Sequence, residues 1–102
     1  MKIHSEFGDE IRRLRALNRL YQRQVASELD IDTPMLSKIE RGERMAKKDQ
    51  VEVLAKLYKT NKETLMALWL ADQLYEIVKD EKVAAYALKV AERKVKFKRE
   101  KR

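Results

Sequence analysis

The chain predicts an all-α fold, and three features predict it. Two glycines and one proline in 102 residues cannot supply the tight turns of a β-sandwich or barrel. Long stretches are written in Ala, Leu, Glu, Lys and Arg, which are favourable in helices. Their apolar members recur every three to four residues, the period of a helix with one buried face. Charged residues reach 40%, against roughly 25% in typical domains, so the helices are expected to carry a heavily solvated outer surface.

Phe7, Ile11, Leu14 and Leu17 are spaced by four, three and three, which predicts a first helix over about residues 6–18 with these four on one side. A second, short helix is expected from Gln22 to Leu29, with Val25, Ala26 and Leu29 inward, stopping at Asp30. The third has the clearest start. Asp32 can accept from the free amides of the first turn, and Pro34 sits where no intrahelical donor is needed. Leu36 and Ile39 face inward, and Gly42 ends this helix, where glycine adopts a left-handed conformation easily.

A fourth helix is predicted from Lys48 to Lys59, burying Val51, Leu54, Ala55 and Tyr58, with Asn61 as N-cap of the next. From Lys62 to Lys79 apolar residues surround almost the whole helix (among them Leu65, Met66, Leu68, Trp69, Leu70, Leu74, Tyr75, Ile77 and Val78), so it needs partners on more than one side. A last helix from about Asp80 carries Val83, Ala84, Ala87, Leu88, Ala91 and Val95 on a broad face. Ala84, Leu88, Ala91 and Val95 follow a four-three-four rhythm suited to helix pairing, although two turns alone are too few for a coiled coil. The chain divides on this reading into residues 1–60 and a C-terminal helical segment, 61–102, with the loosest join at Lys59 to Lys62.

Without cysteine, and with His4 the sole histidine, there is no disulfide framework, no thiolate nucleophile and no cysteine zinc site, and no metal or cofactor is expected. The carboxylates lie on helices rich in Lys and Arg, where i, i+4 pairing accounts for them. No catalytic constellation can be assembled, so the protein is not expected to be an enzyme. There is no run of about 18 apolar residues and no apolar signal core at the N-terminus, so no membrane association and a cytoplasmic location are expected. The length leaves no room for a separate sensor domain, and no small-molecule ligand is expected. The net charge of +7 is unevenly spread: −2 over residues 1–11, +5 over 12–48, −2 over 49–92 and +6 over 93–102. Two basic regions, either able to meet an anion such as nucleic acid, flank an acidic one.

Residues 22–41, QRQVASELDIDTPMLSKIER, have the layout of a helix-turn-helix. Ala26 is small where two helices cross closely, a tight turn follows at Asp30, and Val25, Leu29, Ile31, Leu36 and Ile39 fix the second helix across the first. The outer face of the segment from Thr33 to Arg41 is left free to enter a major groove. With IRRLRALN before it and LSKIERGER within and after it, the segment resembles the phage repressor and Cro superfamily of bacterial regulators, the Xre family, over residues 7 to about 65. One departure is Asp30, where that family usually has glycine.

The resemblance implies a lambda-repressor-like helical bundle, with the C-terminal helices as an extension for dimerisation. It implies that Thr33, Pro34, Met35, Ser37 and Lys38 form the base-reading face, with Lys38 donating to guanine, Thr33 and Met35 packing on thymine methyls, and Ser37 reaching a phosphate or base edge. Pro34 replaces a side-chain donor common at its position. Gln22, Arg23, Arg41, Arg44, Lys47 and Lys48 are the implied phosphate contacts, and Arg15 and Glu40 match a pair that links the first helix to the end of the reading helix. The implied partners are double-stranded DNA carrying an inverted repeat and a second copy of the chain, joined through Leu65, Leu68, Trp69, Leu74, Tyr75, Val78, Leu88 and Ala91. The implied role is a repressor or autoregulator, of the kind that controls restriction-modification operons or mobile elements. A second reading makes the chain an antitoxin or adaptor that binds a protein partner through its C-terminal helices.

Overall fold

The computed structural model describes residues 5–100; His4, Lys101 and Arg102 lie outside them. It contains α1 (Glu6–Leu17), α2 (Gln22–Glu28), α3 (Thr33–Glu40), α4 (Lys48–Leu57), α5 (Lys62–Val78) and α6 (Ala84–Glu100), with no strand among the described residues. The all-α expectation holds. No helix among them is long and apolar enough to cross a membrane.

Local chemistry sets the boundaries. The Asp32 carboxylate accepts from the Met35 N–H at 2.8 Å and the Asn61 side chain from the Thr64 N–H at 2.8 Å, each filling one of the free donors of a first turn. Four of the turns each contain a left-handed residue: Arg19 (φ 56°), Asp30 (φ 56°), Gly42 (φ 79°) and Lys59 (φ 54°). Asp30 thus takes the conformation that glycine favours, which aspartate adopts more readily than most side chains.

One core joins the first five helices. Phe7, Ile11 and Leu14 of α1 meet Val25, Ala26 and Leu29, then Leu36 and Ile39 of α3, then Val51, Leu54, Ala55 and Tyr58, and Leu65 of α5 belongs to the same cluster. Leu17, expected on the inner side of α1, is instead 69% exposed. A helix turns ~100° per residue, so after Phe7, Ile11 and Leu14 the inward position falls on Asn18. The Asn18 side-chain amide donates to the Leu14 carbonyl at 2.8 Å, closing the helix end.

α5 is held from one side. Trp69 Nε1 donates to the Ala46 carbonyl at 2.7 Å, tying α5 to the loop after α3. The Asp72 carboxylate accepts from the Ser5 hydroxyl (2.8 Å) and from the Glu6 and Phe7 amides (3.1 and 3.0 Å), so α5 caps the first turn of α1. α6 begins at Ala84, a few residues later than the start expected at about Asp80, and buries no residue.

Candidate nucleic-acid interface

α2 and α3 pack at the Asp30 turn, and the rotation of α3 sorts its side chains. Leu36 and Ile39 are buried, and Thr33, Pro34, Lys38 and Arg41 are exposed with Ser37 half-buried beside them. Thr33, Ser37 and Arg41 follow one another at single-turn spacing, with Pro34 and Lys38 on the adjoining row. Met35, expected on the reading face, is half-buried and packs against the core. It precedes Leu36 by one residue, and that step turns it toward α3's inner edge rather than toward the outward row.

Arg41 is already engaged at the end of this face. Its guanidinium donates to Glu43 (Nε to Oε2, 2.7 Å; Nη2 to Oε1, 3.3 Å) and to the Ser37 hydroxyl. The hydrogen bonds to Arg41 lower the pKa of Glu43 and, reciprocally, raise that of Arg41. Arg23, Arg44, Lys47 and Lys48 are exposed. The Arg23 guanidinium lies 4.7 Å from the centre of the Tyr21 ring, and Arg44 lines a cleft of about 380 Å³ shared with Tyr75, Glu76 and Lys79 of the α5 end.

Gln22, expected at a phosphate, has its amide on Glu40 Oε1 at 3.0 Å. Glu40 is 3% exposed and also accepts from Arg15, Nε to Oε2 at 2.8 Å and Nη2 to Oε1 at 3.2 Å, while Arg15 Nη1 reaches the Leu20 carbonyl at 3.2 Å. The Arg15–Glu40 pair therefore joins α1 to the end of α3, and the hydrogen bond to Glu40 raises the pKa of Arg15. Behind it the Tyr58 hydroxyl is buried with no hydrogen-bond partner among the described residues. Burial first, then the Glu40 carboxylate, pushes its pKa well above the usual phenol value.

Sequence reasoning gave no site role to Arg12. With Arg15, Gln22, Ser37, Glu40 and Arg41 it lines a cleft of about 260 Å³ beside the α3 face. Its place one turn before Arg15 is the signal that could have found it. Of the residues expected at a contact between copies, Leu65 is buried in the chain's own core and Leu68 and Trp69 pack against that core. They face inward because α5 presents that side to α1 and α4, so this part of the expectation is corrected. Leu74, Tyr75, Leu88 and Ala91 are exposed and Val78 is half-buried. A second row on α6, Tyr86, Val90 and Phe97, flanked by Arg93 and Lys94, lies on a different face from the Ala84–Val95 rhythm, which is the helix-pairing pattern legible in that segment.

The family model described as a helix-turn-helix domain matches residues 6–69, from the start of α1 into the first half of α5. Neither the curated proteins nor the solved structures contain a match to the chain.

Proposed function

The chain belongs to the helix-turn-helix domain family, and from that premise we propose that it is a sequence-specific transcriptional regulator of the phage repressor and Cro type, a repressor or autoregulator that binds an inverted repeat as a homodimer. The observation that carries the reading is the two-sided nature of α3. One side is fixed in the core by Leu36 and Ile39, and the other presents Thr33, Pro34, Ser37, Lys38 and Arg41. A helix so anchored can enter a major groove as a rigid body, with its side chains pre-set against base edges.

In this proposal Thr33, Pro34, Ser37 and Lys38 meet bases, with Lys38 the one cationic donor for guanine. Arg12, Arg23, Arg41, Arg44, Lys47 and Lys48 meet phosphates and set affinity and register. Gln22 acts indirectly, by holding the carboxylate at the end of α3. Residues 1–60 carry the reading unit and 61–102 the dimerisation segment, whose first turns are rooted in the reading unit through Leu65 and Trp69. Two copies are required because a single module spans too few base pairs to select one site among a genome's competitors. Control then comes from protein concentration and dimerisation.

Selection of bound sites from random duplex DNA at physiological salt tests this. The expected result is an enriched inverted repeat whose half-site centres lie about 34 Å, one helical turn, or a multiple of it apart. Binding without enrichment would overturn it.

A further inference from the structure

The turn between α5 and α6 is unlike the other four. Each of those carries a residue of positive φ, the left-handed step that commonly ends a helix. Between Val78 and Ala84 there is none, and Lys79, which closes α5, keeps helical angles (φ −53°, ψ −33°). The intervening residues, Lys79, Asp80, Glu81, Lys82 and Val83, include no glycine or proline. The bend is spanned by short-range bonds, Glu81 N–H to the Val78 carbonyl (2.9 Å) and Ala84 N–H to the Glu81 carbonyl (3.2 Å). No residue type here stops a helix. Packing does not impose the bend either, since α6 buries none of its side chains.

Apolar residues on the two sides of the bend, nearly all of them exposed, share one register. Ala67, Leu70, Leu74 and Ile77 on α5 are spaced by three, four and three, Ile77 and Ala84 are seven apart, and Ala84, Leu88, Ala91 and Val95 continue by four, three and four. Written as one heptad repeat, the a positions are 67, 74, 81, 88 and 95 and the d positions 70, 77, 84 and 91, with Glu81 the single polar member. Four heptads result, enough for a coiled coil where α6 alone is too short. All of the row but the half-buried Ala84 is exposed, Ile77 to 73% and Val95 to 60%.

We infer that α5 and α6 are one helix interrupted in the single chain, and that they join on dimerisation into a continuous helix, residues 62–100, paired in parallel and in register with a second copy of this chain. The inference rests on the proposed dimer and specifies how it forms. The occupant is a second copy because a heptad row is complementary to itself about a two-fold axis along the pair. The opposite side of α5 is already committed to the chain's own core, so the two reading units hang from the outer sides of the pair at the same end, both able to face one duplex. Glu81 meets its own copy at an a position. That like-charge contact weakens the pair at the place where the single chain bends.

The chain has no cysteine, so Leu74→Cys and Leu88→Cys each introduce one thiol, at exposed positions whose replacement leaves the core intact. Under mild oxidation of the full chain each variant is expected to form a disulfide with its own copy, above and below the bend. Glu81→Leu is expected to shift the monomer–dimer equilibrium toward dimer by about tenfold or more, as removal of a buried like-charge contact does. A mixture of the two cysteine variants yielding mainly the mixed disulfide would mean that α6 lies antiparallel across the partner, and would overturn the inference. So would self-linkage at Leu74→Cys alone, which leaves α6 a separate arm, or no shift with Glu81→Leu. An enriched inverted repeat together with the mixed disulfide would keep the dimeric regulator and reject the continuous helix; a monomer without enrichment would reject both.

Discussion

Gly8→Ala tests the close approach of α1 to the end of α3. A Cβ at Gly8 would lie 2.5 Å from the Glu40 carbonyl oxygen, 2.9 Å from that of Ile39 and 2.9 Å from Ser5 Oγ. Two of these atoms are backbone at the end of α3, and the Ile39 carbonyl accepts from the Gly42 N–H that closes that helix (3.1 Å). The third, Ser5 Oγ, accepts from the Gly8 N–H (2.8 Å) and donates to Asp72 (2.8 Å), so it cannot rotate away without breaking the cap. On an isolated helix the substitution would gain ~1 kcal/mol. Here α1 and α3 must separate by roughly 0.5–0.9 Å to restore ordinary contact, and overpacking of that size costs about 1–3 kcal/mol, to which opening the Ser5 cap adds ~1 kcal/mol. The net is a loss of about 1–3 kcal/mol, or ~5–20 °C in Tm for a chain of this size. Urea and thermal unfolding followed by far-UV circular dichroism measure it. A midpoint equal to or above that of the parent would refute the argument, because the propensity gain would then be uncompensated and the α1–α3 contact could not be as close as described.

Arg15→Ala removes two of the three hydrogen bonds on the buried Glu40 carboxylate and is expected to cost about 2–3 kcal/mol in urea unfolding, less than a fully buried pair because Arg15 is partly solvated; adding Glu40→Gln should recover part of the loss. Asp72→Ala leaves the first turn of α1 without its tertiary cap, with an expected loss of ~1–2 kcal/mol in the same assay; an unchanged midpoint would mean that water replaces the carboxylate without cost. Glu43→Gln frees the Arg41 guanidinium from its exposed competitor. Its proposed effect is tighter binding to all DNA sequences alike and a salt slope steeper by ~1 in fluorescence anisotropy titrations, and no change would remove Arg41 from the phosphate contacts. Lys38→Ala should relax preference at one position per half-site by ~1–3 kcal/mol in competition binding, whereas equal weakening on every sequence would reassign Lys38 to the backbone.

The helix-turn-helix was legible because its boundaries are local events. Asp32 and Asn61 cap, Gly42 turns left-handed, and the inward residues of α2 and α3 repeat within a few positions. What the sequence withheld is direction. α5 is apolar on nearly every side, so no pattern within it says which side meets the core; that is decided by Ser5, 67 positions away from Asp72, and by Ala46, 23 positions from Trp69. Met35 and Leu36 are neighbouring apolar residues separated by ~100° of rotation, and Leu17 lost its inward place to Asn18 for the same reason. The boundary after Lys79 is legible to within a residue of the end of α5, but residues 80–83 carry no glycine or proline that would keep them out of the last helix, so its start at Ala84 was not legible.

These long-range bonds give α5 two roles on opposite sides of one helix. Its inner side holds the C-terminal end of α3 by two routes: Trp69 fixes the Ala46 carbonyl in the loop that follows α3, and Asp72 fixes the first turn of α1, a helix that meets the end of α3 through Gly8 near its start and the Arg15–Glu40 pair near its end. Its outer side carries Leu70, Leu74 and Ile77. In the proposed dimer the distance between the two reading helices is therefore set by a single rigid element, with no linker between the pairing surface and the supports of α3. Rigid coupling of that kind makes half-site spacing a property of the fold rather than of the DNA. The α5–α6 bend lies beyond the last inner contact of α5, so its straightening on dimerisation would strengthen the pair without disturbing the reading unit or the spacing that α5 sets.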